Sequence, residues 1–241
     1  MSAIVDIAAP TASSRACHWV LKVGNLKTSM CFFEDVLGMR VLRHEEFETG
    51  CEATCNGPYA GAWSKTMVGY GPEDSNFALE LTYNYGIDGY ESGNDLLFIA
   101  LQMDVADTKK RAEEAGFAVA VEGESVLITG PDKRRYKVVP PQPDRQERFH
   151  VVALNVASLP ASLRYWSGVL GLTEEAPSAG LVPPSAAAAA TVGFGGGHSG
   201  ETECVSLLLI QTDGAAVEHK LAGGRIAFAC KAVPPIYEAV K

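Results

Sequence analysis

Val23-Gly-Asn-Leu-Lys-Thr-Ser-Met-Cys-Phe-Phe-Glu-Asp-Val-Leu-Gly-Met39 lies over Val156-Ala-Ser-Leu-Pro-Ala-Ser-Leu-Arg-Tyr-Trp-Ser-Gly-Val-Leu-Gly-Leu172 without a gap, the two copies standing 133 positions apart throughout. Val23/Val156, Leu26/Leu159, Ser29/Ser162, Val36/Val169, Leu37/Leu170 and Gly38/Gly171 are identical, and the aromatic residues coincide in class. Self-similarity of this kind marks an internal duplication. The first copy reads as a helix from Leu26 to Leu37. Asn25 is its N-cap, Met30, Phe33 and Leu37 form its apolar stripe, and Gly38 stands where a helix end calls for φ > 0. Pro160 falls in the first turn of the second copy, where proline is tolerated.

Strand patterns surround each copy. Before the first, His18, Val20 and Lys22 alternate with Trp19, Leu21 and Val23. After it come Met39 to Leu42 running on towards Phe47, a long loop from Thr49 to Ser64, Lys65 to Tyr70, the turn Gly71-Pro-Glu-Asp74, and the apolar run Phe77 to Gly86. The order is strand, helix, three strands. A shorter version follows: Leu96 to Gln102, a helix capped by Asp104 or Asp107, then Phe117 to Val121, Ser125 to Thr129 and Arg135 to Val139. Pro140 to Glu147 reads as a linker. The third unit starts before Val156, with later strands at Thr191 to Phe194 and Cys204 to Gln211. A fourth starts at Arg225 to Cys230 and runs into Pro234 to Val240. The expected class is therefore α+β: tandem βαβββ units forming half-barrel sheets with flanking helices. Residues 1–14 are expected as a disordered tail, 15–139 as a first domain, 140–147 as the linker, and 148–241 as a second domain whose fourth unit is incomplete. By its own repeat, the chain predicts a truncated product or an incomplete gene model.

The 241 residues are 47% hydrophobic, which fits a soluble globular protein. The formal net charge is −9 and no long basic run occurs, so nucleic acid and anionic membranes are poor partners. No apolar run reaches the roughly 20 residues of a membrane helix. Met1 to Ser14 has neither the basic start nor the apolar core of a secretory signal. The cytoplasm is the expected compartment, with the mitochondrion as the alternative. The six cysteines are scattered and are expected as free thiols, although Cys51 and Cys55 could clip a loop or bind metal.

Glu80 sits in the middle of the apolar run. Ala78, Glu80 and Thr82 share one face; Phe77, Leu79, Leu81 and Tyr83 share the other. A carboxylate in such a strand needs a partner, and His18 is the candidate. The two form either a residual metal site or a buried ion pair, and the pair needs no metal to be satisfied. Trp63, Lys65, Tyr83 and Tyr85 are candidates for a ligand pocket, with packing as the alternative. His44 with Glu45, Glu46 and Glu48 reads as a solvated face, and His150 lies one residue from a strand position of interest. His198 and His219 read as loop residues. Gly193 to Gly197 reads as a turn, because no helix pattern follows it to cradle a phosphate.

The unit plan resembles the vicinal oxygen chelate superfamily, the glyoxalase/dioxygenase fold. His18-Trp-Val-Leu-Lys-Val-Gly-Asn-Leu, Val36-Leu-Gly-Met-Arg-Val-Leu-Arg, Val68-Gly-Tyr-Gly-Pro-Glu-Asp and Glu80-Leu-Thr-Tyr-Asn-Tyr-Gly are similar to its lactoylglutathione lyase members. Arg43-His-Glu-Glu-Phe-Glu48 and Cys55-Asn-Gly-Pro-Tyr-Ala-Gly-Ala-Trp-Ser-Lys-Thr-Met-Val-Gly-Tyr70 are similar to a longer glyoxalase-domain branch. The resemblance implies a divalent metal, zinc or nickel, held by four ligands, one on each of four strands of a half-barrel built from two units. His18 and Glu80 match the first two. Phe98 and Val139 stand at the other two, and neither can ligate. In the second half Val151 takes the His18 place, Leu209 the approximate Glu80 place, and Arg225 stands near the third. The resemblance thus implies a small-molecule-binding or scaffold protein with a degenerate metal site. A metal-dependent lyase acting on a glutathione hemithioacetal and a protein-interaction module are the alternatives, and a homodimer is left open.

Overall fold

The computed structural model describes residues 14–177, 180–194, 204–230 and 232–240. The expected tail, apart from Ser14, lies outside the described residues. So do positions 195–197 of the expected glycine turn, and His198.

The chain order is β1 (Arg15–Lys22), α1 (Leu26–Met30), β2 (Arg40–Phe47), β3 (Trp63–Gly69), β4 (Ala78–Asn84), β5 (Leu96–Gln102), α2 (Val105–Glu114), β6 (Ala118–Glu122), β7 (Ser125–Thr129), β8 (Arg135–Val139), β9 (Phe149–Val156), α3 (Leu159–Leu163), β10 (Thr173–Glu175), β11 (Ala188–Gly193), β12 (Ser206–Gln211), β13 (Arg225–Ala229) and α4 (Val233–Val240). The two copies of the repeated stretch take one local shape. Asn25 Oδ1 accepts from Thr28 N–H, and Ser158 Oγ from Ala161 N–H. Each helix then widens into a π turn, Cys31–Val36 and Arg164–Val169. The widened bonds match: Leu37 N–H to Phe32 O at 3.1 Å and Leu170 N–H to Tyr165 O at 3.0 Å. Gly38 (φ 66°) and Gly171 (φ 72°) close the two turns in the left-handed region.

Among the described residues the strands form two sheets: β13-β1-β4-β3-β2, and β10-β11-β12-β9-β5-β8-β7-β6. The expectation that the first two units share a half-barrel is corrected. The first unit pairs with the fourth through the antiparallel β1–β13 ladder, and the second with the third through β5–β9. The stretch between β8 and β9 returns the chain to the same sheet beside β5, whereas the stretch from Tyr85 to Asp95 carries it across to the other sheet. Glu147 stitches the sheets together: its carboxylate accepts Phe77 N–H (2.9 Å) before β4 and Phe149 N–H (3.0 Å) at the start of β9.

The helices cover one face of each sheet, and a shared core lies beneath them. Phe32 from the first π turn packs 4.8 Å from both Phe117 and Tyr136 of the second unit, while Trp166 reaches Phe228 at 6.2 Å. Trp19, Leu21, Leu79 and Leu81 enter this core from the first sheet, and Ile99, Val152 and Leu207 from the second. Cys51 and Cys55 are joined by a disulfide, correcting the expectation of free thiols at those two positions; Cys17, Cys31 and Cys230 are free. Only three residues intervene, and a tight loop brings the two within reach. Among the described residues no helix is long and apolar enough to cross a membrane.

Candidate functional site

The face of each sheet turned away from the helices carries the candidate residues. In the first sheet, register aligns Val20 with Glu80, Lys65 with Thr82, and Met67 with Glu80. His18, Val20, Lys22, Glu80, Thr82, Asn84, Lys65 and Trp63 therefore share the helix-free face. Arg43, Glu45 and Phe47 join them from β2.

His18 stands between two carboxylates. Nδ1 is paired with Glu73 Oε1, and Nε2 lies 3.5 Å from Glu80 Oε2. Since an ionised carboxylate accepts, Nδ1–H is the donor of the bond to Glu73. Thr82 Oγ1 donates to Glu80 Oε1 at 3.5 Å. The Glu73 carboxylate is also 3.8 Å from the Arg43 guanidinium, and Arg15 binds the Glu73 carbonyl. Lys65 pairs with Glu45 at 2.9 Å, and that hydrogen bond holds the Glu45 carboxyl below its usual range. Above this charged row the loop after β2 folds down. Asn56 and Asn84 exchange amide bonds, Nδ2 to Oδ1 at 2.8 Å and Nδ2 to O at 3.1 Å, and both are buried.

Trp63 and Lys65 thus share the face of His18 and Glu80, but Trp63 is buried, stacked 4.2 Å over Phe47 and bonded to Thr49 O. Tyr83 and Tyr85 are corrected. The strand period turns Tyr83 to the opposite face, where it packs against the helix-side core. Tyr85 stacks edge-on to it at 5.2 Å and donates to Glu46, half-exposed.

Phe98 and Val139 are corrected as well: both belong to the second sheet, so neither faces His18 or Glu80. The pairings name the true counterparts. His18 opposes Ala227 and Val20 opposes Arg225 in β1–β13, while Val151 opposes Ala100 and Ala153 opposes Phe98 in β9–β5. Arg225 is thus the first sheet's counterpart of Phe98. Leu208, level with Ala153, takes the Glu80 place in the second sheet, one residue from the expected Leu209. Lys137, level with Ala100, takes the corresponding place in β8, and Val139 stands two residues further along. Lys137 is buried, paired with Glu122 at 3.0 Å and 5.7 Å above the Phe98 ring.

The centre of the second helix-free face is apolar, with the Lys137 ammonium buried beside it. Phe98, Ala100, Val151, Ala153, Leu208 and Ile210 form a cluster capped by Leu181, Val182 and Ala186 from the connection between β10 and β11. Its sheet offers no donor set for a metal. In the first sheet His18 and Glu80 are two donors, and the third place holds Arg225, a cation that bonds Thr54 O at 2.6 Å. Among the described residues no group of three or more His, Cys, Asp or Glu is arranged to hold a metal ion. The residues do not fit the four-ligand site that the resemblance implies. Sequence reasoning missed Glu73 and Arg43. Glu73 lies in a turn with no period to reveal its direction, and only its closeness to the Glu80 strand hinted at a shared face.

The model of the Glyoxalase/Bleomycin resistance protein/Dioxygenase superfamily matches residues 15–135. "Glyoxalase domain-containing protein 4" of Rattus norvegicus is 41% identical over 234 residues, covering 94% of this chain and 72% of that protein. "Glyoxalase 1" of Caenorhabditis elegans is 44% identical over 160 residues, 66% of this chain and 55% of that one. The crystal structure of glyoxalase I from Zea mays superposes with a TM-score of 0.75 at 25% identity, covering 95% of this chain and 78% of that chain. With repeated βαβββ units, two interleaved sheets and these relatives, the chain belongs to the glyoxalase/bleomycin resistance protein/dioxygenase superfamily.

Proposed function

We propose that the helix-free face of the first sheet binds a small polar molecule at the His18–Glu80 centre, on a degenerate metal site, and that this chain does not isomerise a glutathione hemithioacetal. One observation carries the reading: the strand register that puts Arg225 where a third ligand would stand. A guanidinium cannot coordinate a cation, and it repels one. His18 and Glu80 beside a guanidinium make a poor donor set for a divalent ion. The apolar plug of the second sheet supports the same reading, since a duplicated site has there been given over to packing. What the first face retains is a row of oriented polar groups: the His18 imidazole fixed by Glu73, the Glu80 carboxylate braced by Thr82, and the Lys65 ammonium. Such a row suits a small ligand with several hydrogen-bonding groups. The free thiols of Cys17, Cys31 and Cys230 speak for a reducing compartment, the cytoplasm or the mitochondrial matrix, while the Cys51–Cys55 disulfide speaks against it.

The test is metal content by mass spectrometry of protein expressed with zinc and nickel supplied, alongside a hemithioacetal isomerisation assay. The expected result is far less than one ion per chain and no metal-dependent turnover. Near one ion per chain, lost in His18→Ala, with turnover abolished in Glu80→Gln, would overturn the reading. That outcome would favour a second one, a metal-dependent lyase. It draws on the names of the nematode and maize relatives and on one distance: 3.5 Å between His18 Nε2 and Glu80 Oε2 resembles the separation of two donors on one ion.

A further inference from the structure

A cavity of ≈ 190 Å³ opens where the two sheets meet. That is about six water volumes. It lies between the chain entering β5, the β7–β8 turn, the end of β9 and the segment before β13. Asn94, Asp95, Lys133, Arg134, Arg135 and Asn155 are among its lining residues.

Three consecutive bases on one cavity is an unusual arrangement. In an extended strand neighbouring side chains point to opposite sides. Here the turn Pro131–Lys133 breaks that alternation by holding Asp132 (φ 55°) and Lys133 (φ 57°) in the left-handed region. A side chain at such a position is strained by the clash of its Cβ with the following carbonyl oxygen. Asp132 is compensated, because its Oδ1 accepts Gly24 N–H at 3.1 Å. Lys133 is not: its exposed side chain makes no hydrogen bond or ion pair among the described residues. A glycine or asparagine would hold the same turn with less strain. The lysine therefore contributes something other than stability.

Arg134 gives the second observation. Its Nη2 donates to Ala222 O at 2.7 Å, but its Nε is buried and has no hydrogen-bond partner among the described residues. A buried donor left unpaired is costly, so the site is short of one acceptor. The cavity's own carboxylates do not supply it. Asp95 Oδ1 accepts Leu96 N–H, and Oδ2 lies 2.9 Å from His219 Nδ1. Lys133, Arg134 and Arg135 outnumber Asp95 and Asp132 by one charge in a chain of net −9. Lys22 and Arg225 extend the positive field from the adjoining sheet: burial, then the charges of Arg225 and Arg134, push the Lys22 ammonium below its usual range.

We propose that this seam cavity is an oxyanion site, taking the phosphoryl or carboxylate group of a small molecule, with Lys133 and Arg134 as its charged contacts. Its lining residues are separate from the ligand face around His18 and Glu80, whose Lys22 and Arg225 add to its field.

The experiment titrates the full chain with sodium phosphate, and separately with sodium acetate, at ionic strength held constant with chloride. Backbone amide shifts of residues 93–95 and 132–135 are the readout. Saturable shifts are expected with one or both anions, and the one that saturates identifies the chemistry. Lys133→Asn should weaken that binding at least tenfold and at the same time raise the melting temperature, because the charge goes and the strain goes with it. Arg134→Gln should also weaken it. If Arg134→Gln fails to fold, Lys133→Asn still decides. Shifts that chloride reproduces, or a Lys133→Asn protein that binds as the parent does, would overturn the proposal.

Discussion

Val151 stands in the eight-stranded sheet where His18 stands in the five-stranded one, and each faces an alanine across an antiparallel ladder, Ala100 and Ala227. Two equivalent places have thus acquired opposite chemistries. The His18 face keeps charge and hydrogen bonds; the Val151 face keeps carbon and is closed by its own loop.

The closed face should resist any attempt to restore a donor. Leu208 is fully buried in the second cluster. Leu208→Glu buries a carboxylate among apolar side chains, and the loss should be about 3–5 kcal/mol by urea denaturation. The paired change Val151→His with Leu208→Glu should recover part of that loss without binding zinc. Zinc bound at one ion per chain by the double variant would contradict the plugged-face description.

On the open face, Glu73 acts through His18. Glu73→Gln keeps a hydrogen-bond acceptor but removes the charge beside Nδ1, and should cost about 1 kcal/mol. The more direct check is the tautomer, read from imidazole nitrogen shifts. The parent should carry its proton on Nδ1, and a Glu73→Ala variant should lose that preference. An unchanged imidazole spectrum in Glu73→Ala would show that the turn does not orient the ring.

Asn84→Ala should loosen the loop above the site. It strands the buried Asn56 amide and removes a bond to Tyr90 Oη at 2.8 Å. A loss of about 2–3 kcal/mol is expected. Faster proteolytic cleavage between residues 51 and 60 should accompany it, since Asn56 is what anchors that segment to β4. The same loss without faster cleavage would place the damage in β4 itself.

Glu147 makes stability depend on pH. Burial raises its carboxyl pKa above the usual carboxylate range, with the Phe77 and Phe149 amides pulling the other way. The folded pKa is the higher one, so the folded state binds the proton more readily. The contribution to stability is full below the unfolded value and is lost as pH rises through the raised one. Glu147→Gln, which cannot ionise, should flatten that part of the stability profile above about pH 4. Denaturation midpoints from pH 4 to 7 measure it; parallel curves for parent and variant would refute the assignment.

Much of the fold was legible in local pattern. The duplicated stretch predicted two helices with the same cap and the same closing glycine, and Asn25, Ser158, Gly38 and Gly171 behave alike in both copies. The Phe77–Gly86 run correctly put Glu80 and Thr82 on one face and Leu79 and Leu81 on the other. Which unit pairs with which was not legible. That choice is made by connectors such as Tyr85–Asp95, which carry no periodicity, and it moved Phe98 and Val139 to the far sheet. Tyr85 was misread because aromatic type says nothing about direction. Glu73 was missed because a turn residue reaches its partner through the turn's shape.

The interleaving of the sheets has a consequence for how the molecule is made. Lys22 Nζ donates to Leu221 O across 199 positions of sequence, and β1 finds β13 over a similar span. The β5–β9 pair closes within a much shorter stretch of chain. Contacts so distant are slow to form, because the entropy of closing the loop is lost before they contribute. During synthesis the eight-stranded sheet can assemble as soon as β12 has left the ribosome. The first unit, although translated earliest, keeps one edge of β1 unpaired until β13 emerges. The segment that carries His18 is thus among the first made and the last completed.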